Sequence, residues 1–572
     1  MNFLRQIVLS LIVGVSISPA LLASERVGDF SLLDHNGYFH SMSWYSDVPV
    51  TALLVQATDS STDPQAVSEF ERLKQRYSPH GVEFFMINPM GLKDRDVVGE
   101  RMSAFGTDIP VLMDDSQLIS EALDITVTGE VLLYDPRTFS VVFRGPAGTE
   151  LENALAAVSE GRAVDPGRVA VSGDPVAYPA RLAHQAELPS YEKDIAPIIA
   201  ENCASCHRES GIAPFALDSH TMVQGWSPMI REVVMTKRMP PGQIDPHVGD
   251  FSNSMVLPDL QAQQLLHWIA AGAPKNSQPD PLIELEWPET RWAFGEPDYI
   301  IKIPPQEVPA TGVLDYYNVV VPIELETDRW VRASQYIPGD RTVLHHTLHS
   351  IIPPGAERGG SLLGGDDPDR PDIAPYIPGQ APRMEPPDTG GLLKAGTRIA
   401  MQLHYTTTGR ATVDESEIGV WFYPQDEVPS QRMSGACACV FTPTWTEIPP
   451  HDPDFEMTAS ITIPDDAELF SLTPHMHFRG KRMRFTATYP DGQTEELINI
   501  ANYNYNWQLA YTLRQPRFMP AGTVITAVGA FDNSARNKSN PDPDRSVPWG
   551  LQSWDEMFFG AADWKVLNQE AL

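Results

Sequence analysis

Cys203-Ala204-Ser205-Cys206-His207 places two thiols three residues apart with an imidazole directly behind them. Two such thiols can add to the two vinyl groups of a porphyrin while the histidine meets its iron from one face, the pattern of covalent haem c attachment. A zinc site would need two further ligands close by, and the chain has only two other cysteines, Cys437 and Cys439. The second axial ligand to such a haem should be a thioether or an imidazole. Met239, in Arg238-Met239-Pro240-Pro241, sits on a segment that its prolines keep extended and is the expected ligand. Met235, Met255 and His247 remain alternatives. Met–His ligation raises the haem potential and suits electron relay.

A second set of chemistry-bearing residues lies downstream. It comprises Val343-Leu344-His345-His346, Met401-Gln402-Leu403-His404-Tyr405, Pro474-His475-Met476-His477 and Asp555-Glu556-Met557. His475 and His477, two apart on a strand, point to one face and can chelate one ion. His345 and His346 are adjacent, so a regular strand aims them oppositely; both reach one ion only if the backbone bulges there. His349 is an alternative ligand. Imidazole suits copper in both oxidation states, and a thioether favours Cu(I). Methionine is not a customary zinc ligand.

Together and in this order, these patterns resemble the copper type II, ascorbate-dependent monooxygenases, which include the peptidylglycine hydroxylating and dopamine β-hydroxylating enzymes. The resemblance covers residues 283–572 and implies an all-β, two-part β-sandwich core of jelly-roll-like halves, 283–430 and 431–572. It implies two copper ions. His345, His346 and His404 stand where the family holds its electron-storing copper. His475, His477 and Met557 stand where it holds the oxygen-binding, catalytic copper, and Gly480 completes a His-x-His-x-x-Gly pattern. The implied activity is that of an enzyme, a copper-dependent monooxygenase that inserts one atom of dioxygen into a C–H bond of a small organic substrate and releases the other as water. Two electrons are needed per turnover, and the upstream haem is placed as an attached donor. An external donor, an ascorbate-like reductant or a periplasmic redox protein, would refill it.

The chain departs from the family in places. Thr473 stands where the peptide-amidating members hold a substrate carboxylate with arginine, and Ala561 where they have tyrosine, which disfavours a C-terminal glycine peptide. Trp554, Phe558 and Phe559 suggest a more apolar pocket. The family carries several disulfides in this region, whereas this chain has only Cys437 and Cys439. On a regular strand these lie about 6.5–7 Å apart, so a disulfide, a free dithiol and an auxiliary copper site are all open. The competing function is a periplasmic electron-transfer or copper-handling haem protein without oxygenase turnover. Two complete and different copper sites argue against it, since a carrier needs only one.

The elements that must position these residues follow from periodicity. Residues 1–23 read as an export signal, with Arg5, an apolar stretch Ile7 to Ile17 and a small-residue site ending at Ala23. The stretch is shorter than the ~20 residues of a spanning helix, and no later run approaches that length. A periplasmic or secreted protein without a membrane span is expected. A net charge of −34 repels phosphate backbones, which excludes nucleic acid as a partner. Fifty-two prolines and 39 glycines favour turns and strands over long bundles.

The chain therefore reads as multidomain. Residues 24–160 alternate strands and helices. Thr51 to Val55, Val82 to Ile87, Ile109 to Met113, Val131 to Tyr134 and Val141 to Phe143 read as buried strands. Pro64 to Tyr77, Ser116 to Leu123 and Glu150 to Val158 read as helices. With Val27-Gly28-Asp29-Phe30-Ser31-Leu32 at the start, this order resembles the redoxin branch of the α/β thioredoxin-like fold. That fold's chemistry needs a thiolate, and residues 24–202 contain no cysteine, so a redox-dead scaffold or docking domain is expected. Residues 161–189 read as a linker. Residues 190–275 read as an all-α cytochrome c domain, with helices over Tyr191 to Asn202 and Pro258 to Ala271. Ser350 to Asp388, rich in Gly, Pro and Asp, reads as a long surface loop.

Overall fold

A computed structural model describes residues 25–56, 64–89, 94–164, 167–209, 211–242, 244–276, 279–287, 291–357 and 373–567. The export signal expected over 1–23 lies outside these residues, as does the middle of the expected 350–388 loop.

The first unit is built on an eight-stranded sheet. Thr51–Val55 is central, parallel to Glu83–Asn88 and antiparallel to Glu130–Asp135; Val111–Met113 extends the parallel side and Ser140–Pro146 the antiparallel side. A hairpin of Ser31–Asp34 and Phe39–Ser41 closes one edge. Two parallel strands joined by the helix Pro64–Tyr77, then an antiparallel pair followed by the helix Thr149–Ser159, give the thioredoxin-like arrangement. Val67, Phe70, Leu73 and Tyr77 recur at helical spacing and all four are buried on one face of the sheet. The helix Arg95–Phe105 buries only Val98 and Met102, too thin an apolar stripe for its periodicity to announce it.

The segment expected to be a linker is more ordered than that. Arg168 bridges to Arg144 and Pro175 to Val127, and Pro179–Ala186 is a helix with proline in its first turn. Its His184 meets His267 of a later helix, with Nδ1 atoms 2.7 Å apart. Residues rich in Pro, Gly, Ala and Val but without periodicity are here held by a neighbouring sheet edge, with Val164, Val169 and Val176 packed on the cores of that unit, a tertiary cause that local periodicity does not carry.

A helical region follows, with a single π-turn Tyr191–Ile195 running into Ala196–Asn202, then His220–Met235 and Asp259–Ala270. Tyr191, Ile195, Ile199, Val223, Leu265 and Trp268 form its core. The helix Asp259–Ala270 serves two cores: Leu265 and Trp268 face this one, while Ala262 and Leu266 join Met235 against the second face of the thioredoxin-like sheet. The two regions are thus packed together rather than strung on a flexible tether.

The remainder is β structure in two sandwiches. In the first, the sheet of Tyr317–Pro322, Arg398–Tyr405 and Leu344–Ile352 packs against one built from Arg329–Ile337, Glu417–Phe422 and Tyr299–Lys302. Ile399, Met401, Leu403 and Tyr405 alternate into the shared core, which turns His404 outward. In the second, Met433–Val440, Phe558–Val566, Ala467–His475 and Tyr511–Met519 face a sheet of Phe455–Thr462, Val524–Phe531, Gly480–Thr488 and Thr494–Ile500. Leu469, Leu472, Met476, Phe485 and Phe558 lie in its core. Among the described residues no helix is long and apolar enough to cross a membrane.

Candidate metal centres

His346 pairs with His404 across the antiparallel strands Leu344–Ile352 and Arg398–Tyr405, and the register shifts between Leu344 and His346. That irregularity is what adjacent histidines need to share a face. It brings His345, His346 and His404 together, one ring nitrogen from each lying within 4.8 Å of the other two. The His346 Nδ1 is 2.9 Å from that of His345 and 3.4 Å from that of His404. A ring nitrogen has one in-plane site, either a proton or a lone pair, so His346 Nδ1 cannot satisfy both neighbours by hydrogen bonding. Three convergent nitrogens with incompatible hydrogen bonds could serve as the donor set of one cation. His349 lies apart, its Nε2 at 2.9 Å from the Thr347 hydroxyl.

The second cluster sits on the other sandwich. His475 ends its strand, Met476 turns inward to full burial, and His477 follows on the outer side. Their ring centroids are 5.3 Å apart. His475 Nδ1–H donates to Gln508 Oε1 at 2.5 Å, and His477 Nδ1–H to the Asp555 carbonyl at 3.3 Å. Both rings are thereby held with Nε2 as the nitrogen left to bind. Phe559, the cross-strand partner of His475, stacks on its ring at 5.5 Å. The pairing ends at His475 and Phe559; Met557 lies two residues before Phe559, beyond the paired strand, and is buried.

Glu556 locks this arrangement. Its carboxylate accepts the backbone N–H of His477 at 2.8 Å and of Arg479 at 2.7 Å, and also takes a backbone bond from Met557. Burial pushes its pKa up to about 8, against those backbone bonds and the Arg479 charge. The fully buried Arg479 is held in turn by Asn533 Oδ1 at 2.8 Å and the Trp554 carbonyl at 2.9 Å.

All five rings are neutral at physiological pH, the form that binds metal. Burial lowers His345 and His475 to about 4 and His404 to about 3. It holds His477 well below its ordinary range, with the neighbouring His475 ring adding to the effect. His346 is also held well below, by burial first and then by the rings of His345, His404, His475 and His477. The two clusters therefore adjoin across the junction of the sandwiches. Tyr505 of the second sandwich stacks on His345, with centroids 4.7 Å apart at 20°, and stands edge-on to His477 at 6.2 Å. Its hydroxyl is 3.5 Å from His404 Nδ1 and 2.6 Å from Ser553 Oγ. Tyr316 of the first sandwich reciprocates, edge-on to His404 and donating to the Leu551 carbonyl at 2.8 Å. Neither tyrosine, nor Gln508, is marked by any spacing in the sequence.

Farther upstream, Cys203 and Cys206 are free thiols, and burial pushes Cys203 up to about 12. His207 Nδ1–H donates to the Phe215 carbonyl at 3.1 Å, leaving Nε2 as the axial nitrogen a haem iron requires. Of the distal candidates, Met235 is buried against the thioredoxin-like sheet, and Met255 packs on the core of the second sandwich. His247 is paired to Asp115 at 2.7 Å. Met239 is 37% exposed, its thioether not taken up by a core. Cys437 and Cys439 form a disulfide, with Cα atoms 5.2 Å apart. The strand is pinched below its regular i,i+2 spacing, so of the three open states the auxiliary copper site and the free dithiol are set aside.

No family model matches the chain, and no curated protein does. Solved structures with some likeness include a hypothetical protein from Sinorhizobium meliloti 1021, 24% identical over 27% of this chain and 92% of its own, with a TM-score of 0.24. A conserved protein from Geobacillus kaustophilus is 21% identical over 28% of this chain and 94% of its own, at a TM-score of 0.24. A thiol-disulfide oxidoreductase from Bacteroides fragilis NCTC 9343 is 19% identical over 23% of this chain and 99% of its own, at 0.22.

Proposed function

We propose that the chain is an exported copper-dependent monooxygenase that hydroxylates a C–H bond of a small organic substrate with dioxygen, drawing electrons from a haem c attached in the same chain. The observation that carries this reading is the meeting at one junction of two histidine clusters, the converging Nδ1 atoms of His345, His346 and His404 beside the rings of His475 and His477; Met557 as the third donor of the second cluster is part of the proposal. A carrier or electron-transfer protein has use for one such set. Two sets of different softness suit one centre that stores an electron and one that favours Cu(I).

Copper bound at the two clusters would supply one-electron chemistry and a site for dioxygen, and haem on Cys203, Cys206 and His207, with Met239 as distal ligand, would supply the electrons. The protein's own part is positional. Gln508 and the Asp555 carbonyl fix the tautomers of His475 and His477, and Glu556 ties both sides of that centre to one carboxylate. Tyr505 and Tyr316 pack their rings against His345 and His404 at the junction. Phe559, stacked on His475, gives an apolar wall and no charged group to hold a carboxylate, in keeping with the absence of arginine at Thr473. The thioredoxin-like unit, without cysteine, acts as a scaffold. The test is anaerobic reduction of the copper- and haem-loaded chain, then exposure to isotopic dioxygen with a library of small apolar substrates. Mass spectrometry should find one labelled oxygen in a product; reduction and reoxidation without any labelled product would favour the electron carrier.

A further inference from the structure

Residues 503–511 connect two places that the proposed function needs connected. At one end stands Gly242, three residues beyond Met239. Tyr511 O–H donates to the Gly242 carbonyl at 2.8 Å. A Cβ on Gly242 would sit 2.9 Å from Leu509 Cδ1 and 3.7 Å from Trp507 Cβ, and its φ of +65° suits glycine, so the Met239 segment lies directly on this loop. The contact is anchored, because Ile244 and Phe251 just beyond are buried in the core of the second sandwich and Phe251 bridges to Leu513. At the other end, Gln508 bonds the His475 ring, and Tyr505 lies on His345, within 3.5 Å of His404 Nδ1 and edge-on to His477. Tyr503, Tyr505, Gln508, Leu509 and Tyr511 are all buried.

We infer that residues 503–511 are the electron route from the Met239 segment to both histidine clusters, with Tyr505 as the residue from which the two clusters are reached. The inference rests on the proposed function. Haem held by Cys203, Cys206 and His207 would be the one-electron donor and copper held by the histidine clusters the acceptor, one electron lost by the haem for each one gained by a copper, so that the loop itself need carry no proton and form no tyrosyl radical. The path is covalent along the loop, with one hydrogen bond at its entry and ring contact at its exit.

The test uses the full chain carrying haem and copper, with the haem reduced anaerobically and its oxidation by bound Cu(II) followed by rapid-mixing absorbance. Tyr505→Leu should slow that oxidation about tenfold or more with two coppers still bound, and Tyr505→Phe, which keeps the ring, should stay within about threefold of the parent. Tyr511→Phe removes only the hydroxyl and should slow transfer several-fold; in the metal-free chain it should also speed hydrogen exchange around Gly242. Parental transfer rates in both Tyr505→Leu and Tyr511→Phe, with copper and haem content intact, would overturn the route while leaving the functional reading standing. A parent chain that takes up no haem or no copper would overturn that reading, and the route with it.

Discussion

The rings of His345, His346 and His404 turn their Nδ1 atoms toward one another, whereas His475 and His477 give their Nδ1 protons to Gln508 and the Asp555 carbonyl. The first cluster owes its shape to strand register, a bulge that lets neighbouring histidines share a face across from His404. The second owes it to a buried polar network in which Glu556 and Arg479 hold the backbone on which His477 and Met557 sit. Register is set by the alternation of the whole strand and survives changes at single outward residues. A buried network fails at any member, because each loss strands a partner without its hydrogen bond. The two centres should therefore break differently.

The largest effects come from the donors themselves. Met557→Ala should abolish oxygen activation while the His345, His346, His404 centre still accepts an electron from the haem; His404→Ala should spare oxygen binding but starve it of the second electron. Both should reduce product formation by more than about a hundredfold; truncating the buried Met557 also costs about 2–5 kcal/mol of stability, which denaturant unfolding of the metal-free chain separates from the loss of product. Equal activity and full copper in both variants would contradict the donor assignment.

Next in size is Glu556. Glu556→Ala leaves three buried backbone N–H groups without their acceptor, at about 1–3 kcal/mol each, and should cost several kcal/mol in denaturant unfolding of the second sandwich. Glu556→Gln keeps the shape and should cost less. A comparable loss from an outward residue on the first cluster's strands, such as Gln402→Ala, would erase the distinction between register and network.

A smaller effect should follow Gln508→Leu. With the tautomer of His475 no longer fixed, copper affinity at the second cluster should fall about 10–100-fold and the first cluster should be untouched. Titration of the metal-free chain measures this directly, and equal weakening of both sites would contradict it.

The gentlest test is pH. Histidines whose folded pKa is depressed contribute stability that is present above pH 6.5 and lost as pH falls from there toward about 4, because the unfolded chain takes up protons the folded one refuses. The metal-free protein should therefore weaken steadily on acidification over that window. His345→Ala should shrink the loss between pH 7 and 6 by on the order of half a kcal/mol.

Much of this site is legible in the sequence because its donors come in short local patterns. Cys203 to His207 follows from spacing, whereas the grouping of the histidines is what the family resemblance implies, and the bulge at His345 and His346 follows only once both are asked to reach one ion. The positioning groups are not legible. Gln508 serves a histidine 33 residues away and Tyr505 one from the other sandwich, and neither belongs to a pattern with a period. The same holds for the fold. The Pro64–Tyr77 helix announces its buried face, but His220–Met235 carries an internal Pro228 that obscures it, and the 161–189 segment is ordered only by partners distant in sequence.

The central claim, two unlike copper centres served by one haem, is tested most directly by counting metal per covalent haem in the purified full chain after copper loading. Elemental analysis of the parent, His404→Ala and Met557→Ala should give two coppers per haem, then about one in each variant, with the haem unchanged. A single copper in the parent, or zinc held in place of copper at both clusters, would contradict it.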